Sequence, residues 1–235
     1  MINASLLKNL IREPNWADSA GKACLSVDLS EANYSSEEVH AISQWLRRQP
    51  VPVIGLLNND KRMLDAVDLI AETDSEVERL ASFIDQHPQA SAVLVQVTRV
   101  TMSLPVIAAL TVESLGYATL QGGEEFSRWL SGLNKTKVGD SDISAPVRME
   151  RTGSELSILL NRPGNRNALS VSMRDGLTEA FSLVAMDDSI ERVVVSGAGS
   201  CFSAGGDLTE FGVSKDVAEA HRIRQLKMPA RYLAE

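Results

Sequence analysis

Apolar positions along the chain fall into two kinds of pattern, and their alternation predicts mixed α/β structure. Short continuous apolar runs bounded by turn residues read as buried strands at Ala23–Leu29 (ACLSVDL), Val51–Leu57 and Ala66–Ala71 (AVDLIA). Ser35-x-x-Glu38 is a capping box that opens a helix with Val39, Ile42 and Leu46 on one face, and Pro50 and Pro52 stop it. Thr73 or Asp74 caps a second helix, with Val77, Leu80, Ala81 and Ile84 as its inward stripe. Ser91–Leu130 is mostly helical in pattern and breaks near Pro105. Further on, Val147–Arg151 and Glu155–Leu160 alternate around Thr152-Gly153-Ser154 and predict a β-hairpin, followed by a turn at Asn161–Asn165. Ser170 caps a helix carrying Met173, Leu177, Ala180, Phe181 and Val184 on one face, and Ile190–Ser196 is a buried strand. A glycine-rich stretch, Gly197–Leu208, then leads into a short helix and a longer one through Glu219–Leu233.

The Ser, Gly, Asp, Asn and Lys-rich text of 135–146 has the composition of a linker. It divides the chain into a smaller α/β segment with a helical tail, 1–134, and a layered α/β unit, 147–235. With 235 residues, 44% of them hydrophobic, the chain has enough apolar side chains for one large or two small domains. No apolar run approaches the roughly 18 residues of a membrane span, and acids and a proline occupy the N-terminal stretch where a signal peptide would be apolar. A cytoplasmic protein without membrane contact is expected.

The net charge of -8 argues against nucleic acid as a partner. Residues 1–140 hold 12 bases and 18 acids, and 141–235 hold 11 and 13, so an anionic ligand finds the second segment less repulsive. Cys24 and Cys201 are too few for a disulfide scaffold or a cysteine zinc site, and none of His40, His87 and His221 has a partner at metal-ligand spacing. No metal is expected.

The glycines after the strand at 190–196 invite three chemical readings. A phosphate-cradling loop needs lysine after its last glycine, and here Asp207 follows Gly205-Gly206. A dinucleotide fingerprint needs a third glycine where Phe202 stands, and that ring is too bulky for close helix–strand packing. The remaining reading is an oxyanion hole: paired glycines bring a backbone N–H to a carbonyl oxygen, and a helix opening after Asp207 adds a favourable dipole. A plain strand-to-helix turn with small packing residues, capped by Asp207, stands beside it.

Three motifs occur in order: the hairpin with Leu160-Asn161-Arg162-Pro163-Gly164-Asn165-Arg166-Asn167-Ala168-Leu169-Ser170, then Val193-Val194-Val195-Ser196-Gly197, then Cys201-Phe202-Ser203-Ala204-Gly205-Gly206-Asp207-Leu208. On these motifs, residues 146–235 resemble the N-terminal half of the crotonase (enoyl-CoA hydratase/isomerase) superfamily. The resemblance implies a crotonase-like spiral of ββα units, incomplete here, that binds acyl-CoA thioesters. Coenzyme A enters as part of the substrate, with no covalently bound cofactor. By resemblance, the Gly206 N–H is one of two donors to the thioester oxygen. Arg166, Ala168, Leu169, Ala204, Gly205, Asp207 and Leu208 border the coenzyme A site, with carbonyls near Arg166, Ala168 and Ala204 meeting the adenine and pantetheine portions. Arg162 and Arg166 make sense as charge partners for phosphates.

The implied reaction is an enoyl-CoA hydratase or isomerase step through an enolate held by backbone amides. The family's second oxyanion glycine and its acid/base glutamates lie on elements that would follow Leu233. The resemblance therefore implies a truncated product or a homo- or hetero-oligomer whose partner subunit supplies the missing half. The alternative is a non-catalytic coenzyme A-binding or assembly subunit. A weaker resemblance links residues 22–131 to a shortened second copy, through Pro52-Val53-Ile54-Gly55, Ala66–Ala71, Leu110-x-x-Glu113-Ser114-Leu115 and Glu125-Phe126-x-x-Trp129-Leu130. Glu113 and Glu125 are read as structural.

Overall fold

The structure is a computed structural model that describes residues 1–12, 21–30, 34–56, 61–133, 145–214 and 216–234. It divides into two compact units, Met1–Pro105 and Val106–Glu235.

In the first unit, β1 (Leu25–Asp28), β2 (Val53–Leu56) and β3 (Leu69–Ala71) form a parallel sheet in the order β1-β2-β3, after the short helix α1 (Ala4–Leu10). The helix α2 (Ser36–Arg47) crosses from β1 to β2. It carries the expected capping box, in which Glu38 N–H donates to Ser35 Oγ and Ser35 N–H to the Glu38 carboxylate. Its buried stripe, Ile42 and Leu46, joins Leu7, Leu25, Val27 and Val53 in one core. The third strand is shorter than its apolar run predicts, because Lys61–Ala66 winds into a 3-10 helix and Asp68 turns inward as a polar anchor. The Asp68 carboxylate accepts from the Val53 N–H and pairs with Arg99 on α4 (Pro88–Thr101), which follows α3 (Asp74–Gln86). Arg99 also donates to the carbonyls of Arg47, Gln49 and Val51, tying the end of α2 to the sheet. A cavity of about 1030 Å³ lies beside α4, lined by Leu64, Val67, Leu94, Val95 and Met102 among others.

The second unit opens with α5 (Val106–Gln121) and α6 (Glu124–Ser131). The linker expected at 135–146 lies outside the described residues apart from Ala145 and Pro146. The hairpin β4 (Val147–Thr152) and β5 (Glu155–Leu160) is antiparallel, α7 (Val171–Met186) crosses over, and β6 (Arg192–Gly197) pairs with β5 in parallel. Ser170 caps α7 by accepting from the Met173 N–H. Met173, Leu177, Ala180 and Phe181 of α7 are buried against Val147, Leu156, Ile158 and Leu160, and each large side chain among them contributes about 1.5–3 kcal/mol by leaving water. Beyond the glycine loop come a single 3-10 turn at Leu208–Glu210, α8 (Val217–Leu226) and a 3-10 turn at Pro229–Arg231. The long helix expected through Leu233 ends at Leu226 because Pro229 cannot extend it.

The grouping of the helices differs from the one their composition suggests. α5 and α6 belong with the second unit. Glu113 of α5 takes a bidentate contact from Arg224 of α8, Ser114 Oγ lies 2.9 Å from His221 Nδ1, and Thr111 Oγ1 donates to Gln225. Arg224 also stacks on the Tyr117 ring at 4.2 Å. Burial raises the Tyr117 phenol above its ordinary pKa, with Arg224 pulling the other way. α5 is apolar all round in composition, and its few polar side chains are what meet α8.

Candidate functional site

The end of β6 comes so close to the chain that follows that only glycine fits there. A Cβ on Gly197 would lie 2.5 Å from the Phe202 carbonyl oxygen and 2.7 Å from its Cα, both backbone atoms that cannot step aside. This contact folds residues 201–207 back along the turn before α7. Leu169 and Gly206 form a parallel bridge. Leu169 N–H donates to the Gly205 carbonyl at 2.7 Å and Asp207 N–H donates to the Leu169 carbonyl at 3.2 Å. One step earlier, Ala204 N–H donates to the Arg166 carbonyl at 2.9 Å.

This register fixes where the proposed donor points. In a parallel bridge the residue on one strand bonds to the carbonyl before and the N–H after its opposite number, so that opposite residue turns its own N–H and C=O to the other side. Gly206 is the residue so placed. It is exposed, and its N–H has no protein acceptor among the described residues. Gly205, at φ +86°, supplies the left-handed turn that presents it. The exposed side chains of Leu169, Leu208 and Phe202 belong to the same two stretches, and the Phe211 ring edge closes one side, 3.0 Å from where a Gly206 Cβ would sit.

The structure thus brings Arg166, Ala168, Leu169, Ala204, Gly205, Gly206, Asp207 and Leu208 into one loop pair. The carbonyl of Arg166 is engaged by Ala204 N–H and that of Ala168 by Ser170 N–H, while the Ala204 carbonyl has no backbone donor. Asp207 is buried and caps the 3-10 turn it opens, accepting from the Thr209 N–H and hydroxyl with one oxygen and from Asn165 Nδ2 with the other. The helix expected after Asp207 is only this three-residue turn, so its dipole is slight. The basic face of α8 is also spoken for: Arg222 pairs with Glu219, Arg224 with Glu113 and Lys227 with Asp175.

Three residues that the sequence did not single out hold this geometry. Asn167 is fully buried, and its carboxamide ties the turn before α7 to the loop after β6. Its tolerance of a positive φ, here +52°, is the one local signal that marked it. Glu210 accepts from the Val171 N–H at 2.7 Å and so caps α7 from outside. Phe211 packs edge-on against Tyr117 of α5 and Trp129 of α6, at ring centroid distances of 6.3 and 6.1 Å. No group of acids, histidines and cysteines suited to a metal occurs among the described residues, and both cysteines are free thiols.

Comparison with known proteins places this part of the chain. Residues 156–228 match the family model described as enoyl-CoA hydratase/isomerase. An enoyl-CoA hydratase, EchA19 of Mycobacterium tuberculosis, is 42% identical over 60 residues, 26% of this chain and 23% of that protein. The enoyl-CoA hydratase domain-containing protein 3 of Danio rerio is 36% identical over 93 residues, 39% of this chain and 32% of that protein. A crystal structure of enoyl-CoA hydratase from Mycobacterium tuberculosis aligns with 30% identity and a TM-score of 0.29, over 30% of this chain and 28% of that one. Over the matched residues the chain is similar to proteins of the enoyl-CoA hydratase/isomerase type. It spans less than a third of the length of these curated relatives.

Proposed function

We propose that the second unit binds acyl-CoA thioesters, with the Gly206 N–H as one donor to the thioester oxygen and the stretch 166–169 along the coenzyme A portion. The observation that carries this reading is the Leu169–Gly206 bridge, which leaves one exposed backbone N–H pointing away from the paired stretch. A donor fixed in this way is organised before ligand arrives, so it stabilises developing charge on the oxygen without a reorganisation cost. An enolate held by such a donor is the intermediate of an enoyl-CoA hydratase or isomerase step. The expected assembly is an oligomer in the cytoplasm. Isothermal titration of the full chain with crotonyl-CoA tests the binding: saturable heat is expected, and none at millimolar ligand removes the proposal.

A second reading has its own support. The two carboxylates next to Gly206 are both occupied by caps, Asp207 by Thr209 and Asn165 and Glu210 by Val171 N–H. This favours a unit that holds the thioester without moving protons, a non-catalytic coenzyme A-binding or assembly subunit. Hydration of crotonyl-CoA by the chain on its own would reject that second reading.

A further inference from the structure

Asn167 stands between the sheet and the proposed donor. Its Oδ1 accepts from the Arg162 N–H at 2.8 Å, and its Nδ2 donates to the carbonyls of Ala198 at 2.9 Å and Cys201 at 2.8 Å. These bonds fasten the turn before α7 to both ends of the loop that leaves β6. Its backbone carbonyl accepts from Ser203 Oγ at 2.8 Å, and Ser203 Oγ in turn accepts from the Gly205 N–H at 3.2 Å. Asn167 therefore grips the loop at two places, its carboxamide at the Cys201 carbonyl and its backbone carbonyl, through Ser203 Oγ, at the Gly205 N–H, one peptide before the one that carries the Gly206 N–H. Arg166 and Asn167 both hold positive φ, +47° and +52°, a local strain that the surrounding bonds must maintain.

We infer that Asn167 is a positioning residue: its carboxamide, bonded to the Cys201 carbonyl, and its backbone carbonyl, acting through Ser203, together fix the direction of the Gly206 N–H, and its fully buried side chain touches no ligand. The inference rests on the thioester reading above and assigns that site a part it does not yet have. An aspartate would not serve, since an anionic oxygen would face the two carbonyls that Nδ2 now satisfies. Glycine keeps the left-handed backbone and the carbonyl that Ser203 bonds, and removes the carboxamide with its methylene.

The test compares two ligands that differ at one atom group, acetyl-CoA and its thioether analogue S-ethyl-CoA, which lacks the carbonyl. The full wild-type chain should bind the thioester more tightly, and in Asn167→Gly the affinity ratio should fall to about one while thioether affinity stays near the wild-type value. Equal weakening of both ligands would show a merely structural role and overturn the inference. Absence of any preference in the wild type would instead overturn the thioester reading itself. Should Asn167→Gly fail to fold, Ser203→Ala is read the same way, because it removes only the relay hydroxyl. Its ratio must drop and Ser203→Thr must restore it; an unchanged ratio in Ser203→Ala rejects the relay.

Discussion

Both units contain the same local device, a strand, a crossover helix and a neighbouring parallel strand: β1-α2-β2 in the first and β5-α7-β6 in the second. They part company in what their polar groups secure. In the first unit one ion pair, Asp68 with Arg99, fastens a strand and three carbonyls at the end of α2, so its buried polar chemistry is spent on scaffold. In the second, Asn167, Asp207 and Glu210 fasten loops to one another and leave the Gly206 N–H out of the network. In the second unit, a loop-to-loop bridge with an odd amide left over supplies a candidate site.

The substitution with the largest expected effect is Gly206→Pro, which deletes the proposed donor while the bonds of Gly205 and Asp207 to Leu169 do not involve it. Titration should show thioester binding abolished, and peptide-resolved hydrogen exchange should show the first unit unchanged. Retained binding would remove Gly206 from the site.

Next comes Arg99→Ala. It strands a largely buried Asp68 carboxylate, and about 3 kcal/mol of first-unit stability should go with the guanidinium. Urea unfolding would measure it, and the contrast sharpens if exchange in 147–234 is untouched.

Gly197→Ala should act in the opposite unit. Its new Cβ meets backbone at 2.5 Å, so about 2 kcal/mol of second-unit stability is expected to be lost, along with thioester affinity. Wild-type thermal melting would contradict the close approach on which the loop depends.

The smallest effect is a pH dependence. The Ser189 hydroxyl, then its N–H, then Arg151 hold the Asp187 carboxyl below the usual range. A carboxylate with a lowered folded-state pKa contributes stability above its unfolded value, about 3.9, and that contribution is lost as pH falls through the folded value. Asp187→Asn should therefore flatten the decline in melting temperature between about pH 4 and pH 2; an unaltered decline would assign the acid sensitivity elsewhere.

Much of the local structure was readable from short-range pattern. The capping box at Ser35 and Glu38, the cap at Ser170 and the hairpin around Gly153 each depend on residues within a few positions of one another, and each forms as its spacing predicts. The same holds for the motif stretches within the part that resembles enoyl-CoA hydratase/isomerase proteins, since a left-handed turn or a glycine pair constrains its own sequence. Ala66–Ala71 was less legible, because the apolar run does not reveal that Asp68 would be drawn inward by Arg99, 31 residues away.

The sequence by itself determined the six strands of the described residues to within about three residues, the capped helices α2, α3 and α7, and that Gly205 and Gly206 sit in a turn. Only the tertiary structure decided that α5 and α6 belong with the second unit, that Phe211 meets Tyr117 and Trp129, and that the register of Leu169 on Gly206 aims one amide outward. The physical reason is range. Caps and turns are settled by neighbours along the chain, whereas an aromatic contact or a bridge register is chosen by packing between residues tens of positions apart, where many alternatives share the same local pattern.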